Sequence, residues 1–175
     1  VLYSDKKCYV NASSERTPIA VVFDGTKRLA VALDEAFLEW GGYQKDIPTL
    51  EQCFNWSSNC SPNGKENTNK ILTYGKTNNT EYPAAEYCYS YSLDGTKAGD
   101  WFLPSFEELK ILAAVYDKAN EQLLALNKKA LVSAGYWSST EYDSLGAWGL
   151  PLKSGTINGY YNKNSKFSVR CTLIF

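Results

Sequence analysis

Trp101-Phe-Leu-Pro-Ser-Phe-Glu-Glu-Leu109 is the stretch that decides the fold. Ser105-Phe-Glu-Glu108 has the form of a capping box, in which Ser105 accepts from the third helical amide and the Glu108 carboxylate reaches back. Phe106, Leu109, Leu112, Ala113, Tyr116 and Leu123 follow at helical spacing, which predicts one helix running to about Leu126. After Gly135 the pattern changes to strands: Tyr136-Trp-Ser-Ser-Thr, Ala147-Trp-Gly-Leu-Pro-Leu, Thr156 to Tyr161, and Phe167 to Phe175, separated by turn residues.

Upstream, Pro83 at a first helical position opens a second helix. It places Ala84, Tyr87, Cys88 and Tyr91 on one face. Further back, Pro18-Ile-Ala-Val-Val-Phe and Arg28-Leu-Ala-Val-Ala-Leu flank Asp24-Gly, a β-hairpin signature. Residues 41–80 lack periodicity and are rich in Gly, Asn, Ser, Thr and Pro, so they read as a long loop. Strands, two helices, then strands, without βαβ alternation, predict an α+β domain on a twisted antiparallel sheet. With no repeat or linker, residues 1–175 read as a single domain.

Composition narrows the chemistry. The 175 residues include no His and no Met, but 13 Tyr and 5 Trp, at a formal net charge of −1. Without His, Ser-His-Asp and Cys-His nucleophilic catalysis and His-ligated metals are excluded. The basic pairs Lys6-Lys7 and Lys128-Lys129 are too short for a nucleic-acid footprint. No apolar run approaches the ~20 residues of a membrane-spanning helix.

Five cysteines stand at 8, 53, 60, 88 and 171, none in CxxC spacing. Cys53 and Cys60 bracket a polar loop short enough for a local disulfide. Cys88 and Cys171 read as small buried hydrophobes. Cysteine usage gives mild support to an extracytoplasmic location.

The ordered motifs Tyr82-Pro-Ala-Ala-Glu-Tyr-Cys, Trp101-Phe-Leu-Pro-Ser-Phe-Glu-Glu-Leu, Gly135-Tyr-Trp-Ser-Ser-Thr-Glu, Ala147-Trp and Val169-Arg-Cys resemble the Lcl-C domain family. These are bacterial surface and secreted domains with a C-type-lectin-like fold, related in shape to formylglycine-generating enzymes. The resemblance implies that the first strand, near Leu2, pairs with the last, near Cys171, and that two helices pack on the sheet. Trp101, Leu103, Trp137 and Trp148 would be core anchors, and Arg170 an ion-pair or hydrogen-bond hub.

Some lectin-like domains of this kind are diversified by retroelements between a Trp-Ser-Ser-Thr-Glu-like strand and a final Val-Arg strand. Here that interval is 142–166. Tyr142, Asp143, Ser144, Leu145, Gly149, Pro151, Tyr160, Tyr161, Asn162 and Asn164 are residues that such diversification can encode. With Asn158 they form the candidate ligand-binding set. Tyr beside Asn, Ser and Gly is also the composition of a paratope: rigid amphipathic area beside adaptable hydrogen-bonding groups. An ordinary polar surface hairpin has the same composition.

The expectation is therefore a non-catalytic extracytoplasmic binding domain, an adhesin or receptor-binding module contacting a protein or glycan through 142–166. Its expected location is extracellular or cell-surface, with an upstream lipid anchor or a virion tail as the means of display. The alternative is a structural tip or coat subunit of a fimbria or virion. No cofactor and no metal are expected. The Glu-Pro-Asn, Gln-Pro-Asp and Trp-Asn-Asp triplets of lectin calcium sites are absent, and neither Asp24-Gly-Thr nor Asp94-Gly-Thr supplies the ~6–8 oxygens that calcium takes. An enzyme is the minor reading. Formylglycine-generating chemistry needs two late cysteines, whereas only Cys171 lies late. Glu107, Glu108 and Glu141 could pair, but the first two read better as helix-start acids.

Overall fold

A computed structural model describes every residue except 11, 12, 14, 55–59, 61, 62, 157 and 158. The hairpin forms where its turn chemistry predicts. The Asp24 carboxylate accepts from the amides of Thr26 (2.9 Å) and Lys27 (3.0 Å), and Arg28 takes a left-handed φ of 56°. That turn joins β2 (Pro18–Asp24) to β3 (Leu29–Ala32), with Val21 opposite Val31 and Val22 opposite Ala30. Both faces of this pair are buried, Ala20 and Ala30 in one apolar cluster and Val21 and Val31 in another. With β1 (Leu2–Tyr3), β5 (Trp101–Phe102) and β10 (Thr172–Ile174) they form an antiparallel sheet of order β1-β2-β3-β10-β5.

Two expectations change at this point. The terminal strands share a sheet but do not pair, because the β2–β3 hairpin lies between them. β3 is apolar on both faces and takes the inner position against β10, whereas the two-residue β1 stays at the edge. The late strands also leave this sheet for a second one. β4 (Ala36–Glu39), β6 (Gly135–Glu141), β7 (Gly146–Pro151), β8 (Tyr160–Asn162) and β9 (Lys166–Val169) pair in the order β4-β9-β6-β7-β8. The β6–β9 pair is parallel and the others antiparallel, so the single antiparallel sheet is replaced by two sheets, one mixed.

The stretch read as one strand from Phe167 onward is cut at Arg170-Cys171, where the chain crosses from the second sheet to the first. Between β3 and β4 it crosses in the opposite sense. Arg170 holds both crossings. Its Nε donates to Ala32 O (2.8 Å), Nη2 to Leu33 O and Lys129 O (3.1 Å each), and Nη1 to Glu35 Oε2 (3.2 Å). Glu35 also accepts from Tyr136 Oη (2.7 Å) and pairs with Lys129. Arg170 is thus the hub expected of it, buried and with a partner for each of its three guanidinium nitrogens.

Among the described residues four helices are present where two were expected: α1 (Gly64–Asn78), α2 (Pro83–Ser90), α3 (Phe106–Ala114) and α4 (Tyr116–Ala125). The capped helix breaks at Val115, whose φ, ψ of −119°, 20° interrupts α3 and α4. α1 lies inside the presumed loop. It buries one large apolar side chain, Ile71, beside Asn67, Thr68, Gly64 and Gly75, so it shows no hydrophobic period. Cys88 is not a free buried thiol either. It is bridged to Cys171 (Cα–Cα 5.2 Å), tying α2 to the second crossing, while Cys53 and Cys60 form a local bridge (Cα–Cα 5.7 Å). Trp101, Leu103, Trp137 and Trp148 are core residues as expected.

The two motifs that open the reading are joined by buried polar contacts. Ser139 N donates to Pro104 O (2.8 Å) and Phe106 N to Thr140 Oγ1 (3.0 Å). Glu108 completes the capping box by accepting from Ser105 N (2.7 Å), and it also accepts from Gly64 N (3.4 Å) at the start of α1. One carboxylate therefore serves two helix N-termini. A Cβ at position 64 would overlap that carboxylate and the Ser105 amide, which explains the glycine there.

Burial outweighs these hydrogen bonds and pushes Glu108 up to about 7. An acid raised on folding stabilises the fold most below its unfolded value, and that stabilisation is lost as pH rises through the folded value. In urea titrations, wild-type stability relative to Glu108→Gln is expected to fall by about 3 kcal/mol between pH 4.5 and about 8 and to be flat above. A pH-independent difference would show that Glu108 titrates normally.

Candidate functional site

Glu141, at the end of β6, and Lys163, after β8, are both fully buried and lie 2.5 Å apart. Lys163 Nζ also donates to Lys45 O (2.8 Å) and sits over the Trp40 ring (4.8 Å to its centroid). The second Glu141 oxygen accepts from Ile47 N (3.2 Å). Burial pushes Glu141 up and Lys163 down, each partly offset by the other's charge. The backbone is held as well. Trp40 N and Gly41 N donate to Lys163 O, Lys163 N to Leu145 O, and Cys53 N to Glu141 O. The 40–53 segment, the β6–β7 turn and the β8–β9 turn thus meet at one desolvated ion pair. Glu141 pairs with Lys163 rather than with Glu107 or Glu108; Glu107 instead pairs with Lys110.

This arrangement carries an aromatic shelf. Tyr142 stacks face to face on Tyr160 (centroids 3.6 Å apart, 8° between planes) and meets Phe54 (5.6 Å) and Trp148 (5.8 Å) edge-on. Trp148 is buried and anchors the shelf from below, with its indole N–H donating to Cys53 O (2.7 Å). Phe54 is 63% exposed, Tyr160 45% and Leu145 40%. Position 146 is Gly because the Tyr160 ring lies where a Cβ would be. Asp143 Oδ1 closes the β6–β7 turn by accepting from Leu145 N and Gly146 N (2.8 Å each).

The candidate residues divide according to strand alternation. Tyr142 and Tyr160 come together beside the β6–β7 turn, which carries exposed Leu145 and half-buried Asp143 and Ser144, with exposed Asn162 opposite Gly146; exposed Asn164 lies in the turn after β8. Tyr161 points to the other face of β8 and packs on Phe167 (4.6 Å) and Trp137 (6.3 Å). Gly149 is buried, and a Cβ there would press on the Tyr161 ring. Pro151 pairs with Gly135 at the far end of β7, five residues and ~16 Å along the strand from Gly146. Asn158 lies outside the described residues. Phe54, Lys163 and the site role of Trp40 are not among the sequence candidates. Lys163 sits between two Asn in a turn-like run, and nothing local marks it as buried.

Among the described residues no group of three or more acidic, Cys or His side chains is placed to hold a metal, and no helix is long and apolar enough to cross a membrane. No family model matches the chain, and no curated protein matches it in sequence. Its fold is similar to that of a solved fimbrial protein from Bacteroides ovatus, with a TM-score of 0.66 over 84% of this chain at 19% identity. The chain spans about a third (35%) of that protein's length.

Breaking a buried ion pair from one side leaves an uncompensated charge. Lys163→Met is expected to lower unfolding stability by about 3 kcal/mol. Lys163→Met with Glu141→Gln, which keeps the acceptor for Ile47 N, should recover more than half of that loss. Chemical denaturation of the two variants checks this, and equal losses would show that the charges are not coupled.

Proposed function

We propose that this chain is a non-enzymatic domain of a fimbrial subunit, displayed outside the cell. The observation that supports it most is the fold-level likeness, over 84% of the chain, to a fimbrial protein. Two disulfides among the described cysteines suit an oxidising, extracytoplasmic setting. The charged and polar groups of the interior are committed to structure. Arg170 and Glu35 hold the strand crossings, Glu141 and Lys163 hold the loops, and Glu108 caps helices. No nucleophile with a base beside it emerges from them.

The resemblance to Lcl-C domains supports a finer statement, that the two-sheet fold is C-type-lectin-like and uses its late loops for contact. The shelf of Phe54, Tyr142 and Tyr160 supplies a surface of that kind at those loops. In this reading the domain is a subunit first, and the shelf is where it meets another molecule.

Antibodies raised against the purified chain, used for immunogold electron microscopy of the producing cells, are expected to decorate surface filaments. Labelling confined to the cell interior, or to a surface layer without filaments, would contradict the fimbrial assignment.

A further inference from the structure

The shelf has features that select a class of partner, and the inference rests on the surface-domain reading above. Its rings are not all open platforms. One face of Tyr142 is covered by Tyr160 at 3.6 Å, and its edges meet Phe54 and Trp148. The half-exposed Tyr160 ring remains open to a planar group, so it is the charge around the stack that separates a cationic side chain from a neutral pyranose. What the shelf does present is an apolar, polar-rimmed patch of Phe54, Leu145 and Tyr160, set with exposed Asn162 and Asn164. That is the make-up of a protein–protein contact, with aromatic anchors at the centre and adaptable amides at the rim.

Charge makes the class more specific. Asp143 directly follows Tyr142, and its Oδ1 is engaged by two turn amides, which fixes the carboxylate beside the shelf. The 41–54 segment that delivers Phe54 carries exposed Asp46 and Glu51, with Lys45 as its one basic residue. Lys163, the cation beneath the shelf, is fully buried and neutralised by Glu141. Among the described residues of these segments the surface is therefore aromatic with carboxylates in excess, Lys45 being the one exposed base and Lys163 being buried with Glu141. Arginine is the side chain that answers both features, since its guanidinium stacks on aromatic rings and pairs with carboxylates.

The geometry points to a protein partner that inserts an arginine next to an apolar side chain, the guanidinium reaching Asp143 and the Tyr160 ring while the apolar group covers Leu145 and Phe54. Steering by acidic residues would make the encounter salt-sensitive. The preformed stack means that little ordering accompanies binding.

The test is an amide chemical-shift titration of the isotope-labelled full chain with three probes: N-acetyl-Arg-Leu-amide, N-acetyl-Glu-Leu-amide and mannobiose. The arginine peptide alone is expected to shift the amides of Tyr142, Asp143, Leu145, Tyr160 and Asn162, with shifts that shrink as salt is added. Asp143→Asn keeps the turn acceptor and removes the charge, and should weaken the arginine peptide about threefold at low salt. Phe54→Ala, at an exposed position, should weaken both its apolar contact and the overall response. Equal responses to the Arg and Glu peptides, a response to mannobiose only, or none to any probe would overturn the inference. Each of these can occur while the antibody still labels filaments, so the partner class and the fimbrial assignment fail separately.

Discussion

Arg170 is the side chain on which the architecture depends. The chain passes between its two sheets four times, twice by way of the helices and twice directly, at Ala32–Ala36 and at Val169–Thr172, and the direct crossings release backbone carbonyls from the strand ladders. Arg170 satisfies Ala32 O and Leu33 O at the first crossing from its own position in the second, and it reaches Lys129 O after α4. Cys171 O returns the bond by accepting from Ala32 N (2.9 Å). Glu35 neutralises the guanidinium and binds Tyr136 on β6. Net hydrogen bonds to a charged group contribute roughly 1.5–3 kcal/mol each, and a buried charge left unpaired costs more than its pairing gains. A single substitution there leaves three buried carbonyls without this donor, while Glu35 keeps only Tyr136 and Lys129.

The same logic recurs beneath the candidate site. The Glu141–Lys163 pair ties the 40–53 segment, which lies outside the sheet ladders, to the turns that end β6 and β8, and the shelf of Phe54, Tyr142 and Tyr160 is carried on them. The rigid part sets limits on change within 142–166. Gly146 and Gly149 lie under tyrosine rings, Tyr161 belongs to the core, and Lys163 is buried with its counter-ion. Variation without loss of the fold is left to Ser144, Leu145, Tyr160, Asn162 and Asn164 and to the exposed positions of the neighbouring 41–54 segment, since Gly41, Ile47, Leu50 and Cys53 there are buried. The 142–166 interval is a comb of free positions between fixed ones.

Much of this was legible in the sequence wherever a local rule decides the outcome. The Asp24-Gly hairpin and the Ser105 capping box each follow from a few neighbouring residues, whereas the buried tryptophans and the hub role of Arg170 were expected from the family resemblance. The misreadings have a common cause, that long-range partners overrode local pattern. α1 is polar on nearly every side and becomes a helix because Asn63 caps it, Glu108 receives its first amide, and Thr68 bonds Leu103 across the core. Cys88 finds Cys171 across 83 residues, a pairing that spacing alone does not encode. The last strand looks continuous because both halves are apolar, and only the demand of Arg170 for carbonyls in the other sheet divides it. At the site, strand alternation separates Tyr160 from Tyr161, a distinction available from the sequence once β8 is placed, whereas Phe54 arrives through a bridge and a loop without periodicity.

The central claim, that one guanidinium couples the two sheets and so holds the surface they present, is tested most directly by amide hydrogen exchange on Arg170→Lys beside the wild type. A lysine there keeps the charge but cannot serve three carbonyls and a carboxylate at once. The account predicts that protection falls together in β3, β4, β9 and β10, and with them in the Tyr142 and Tyr160 segments. Loss confined to the residues next to position 170, with β4 and β8 protected as before, would contradict it.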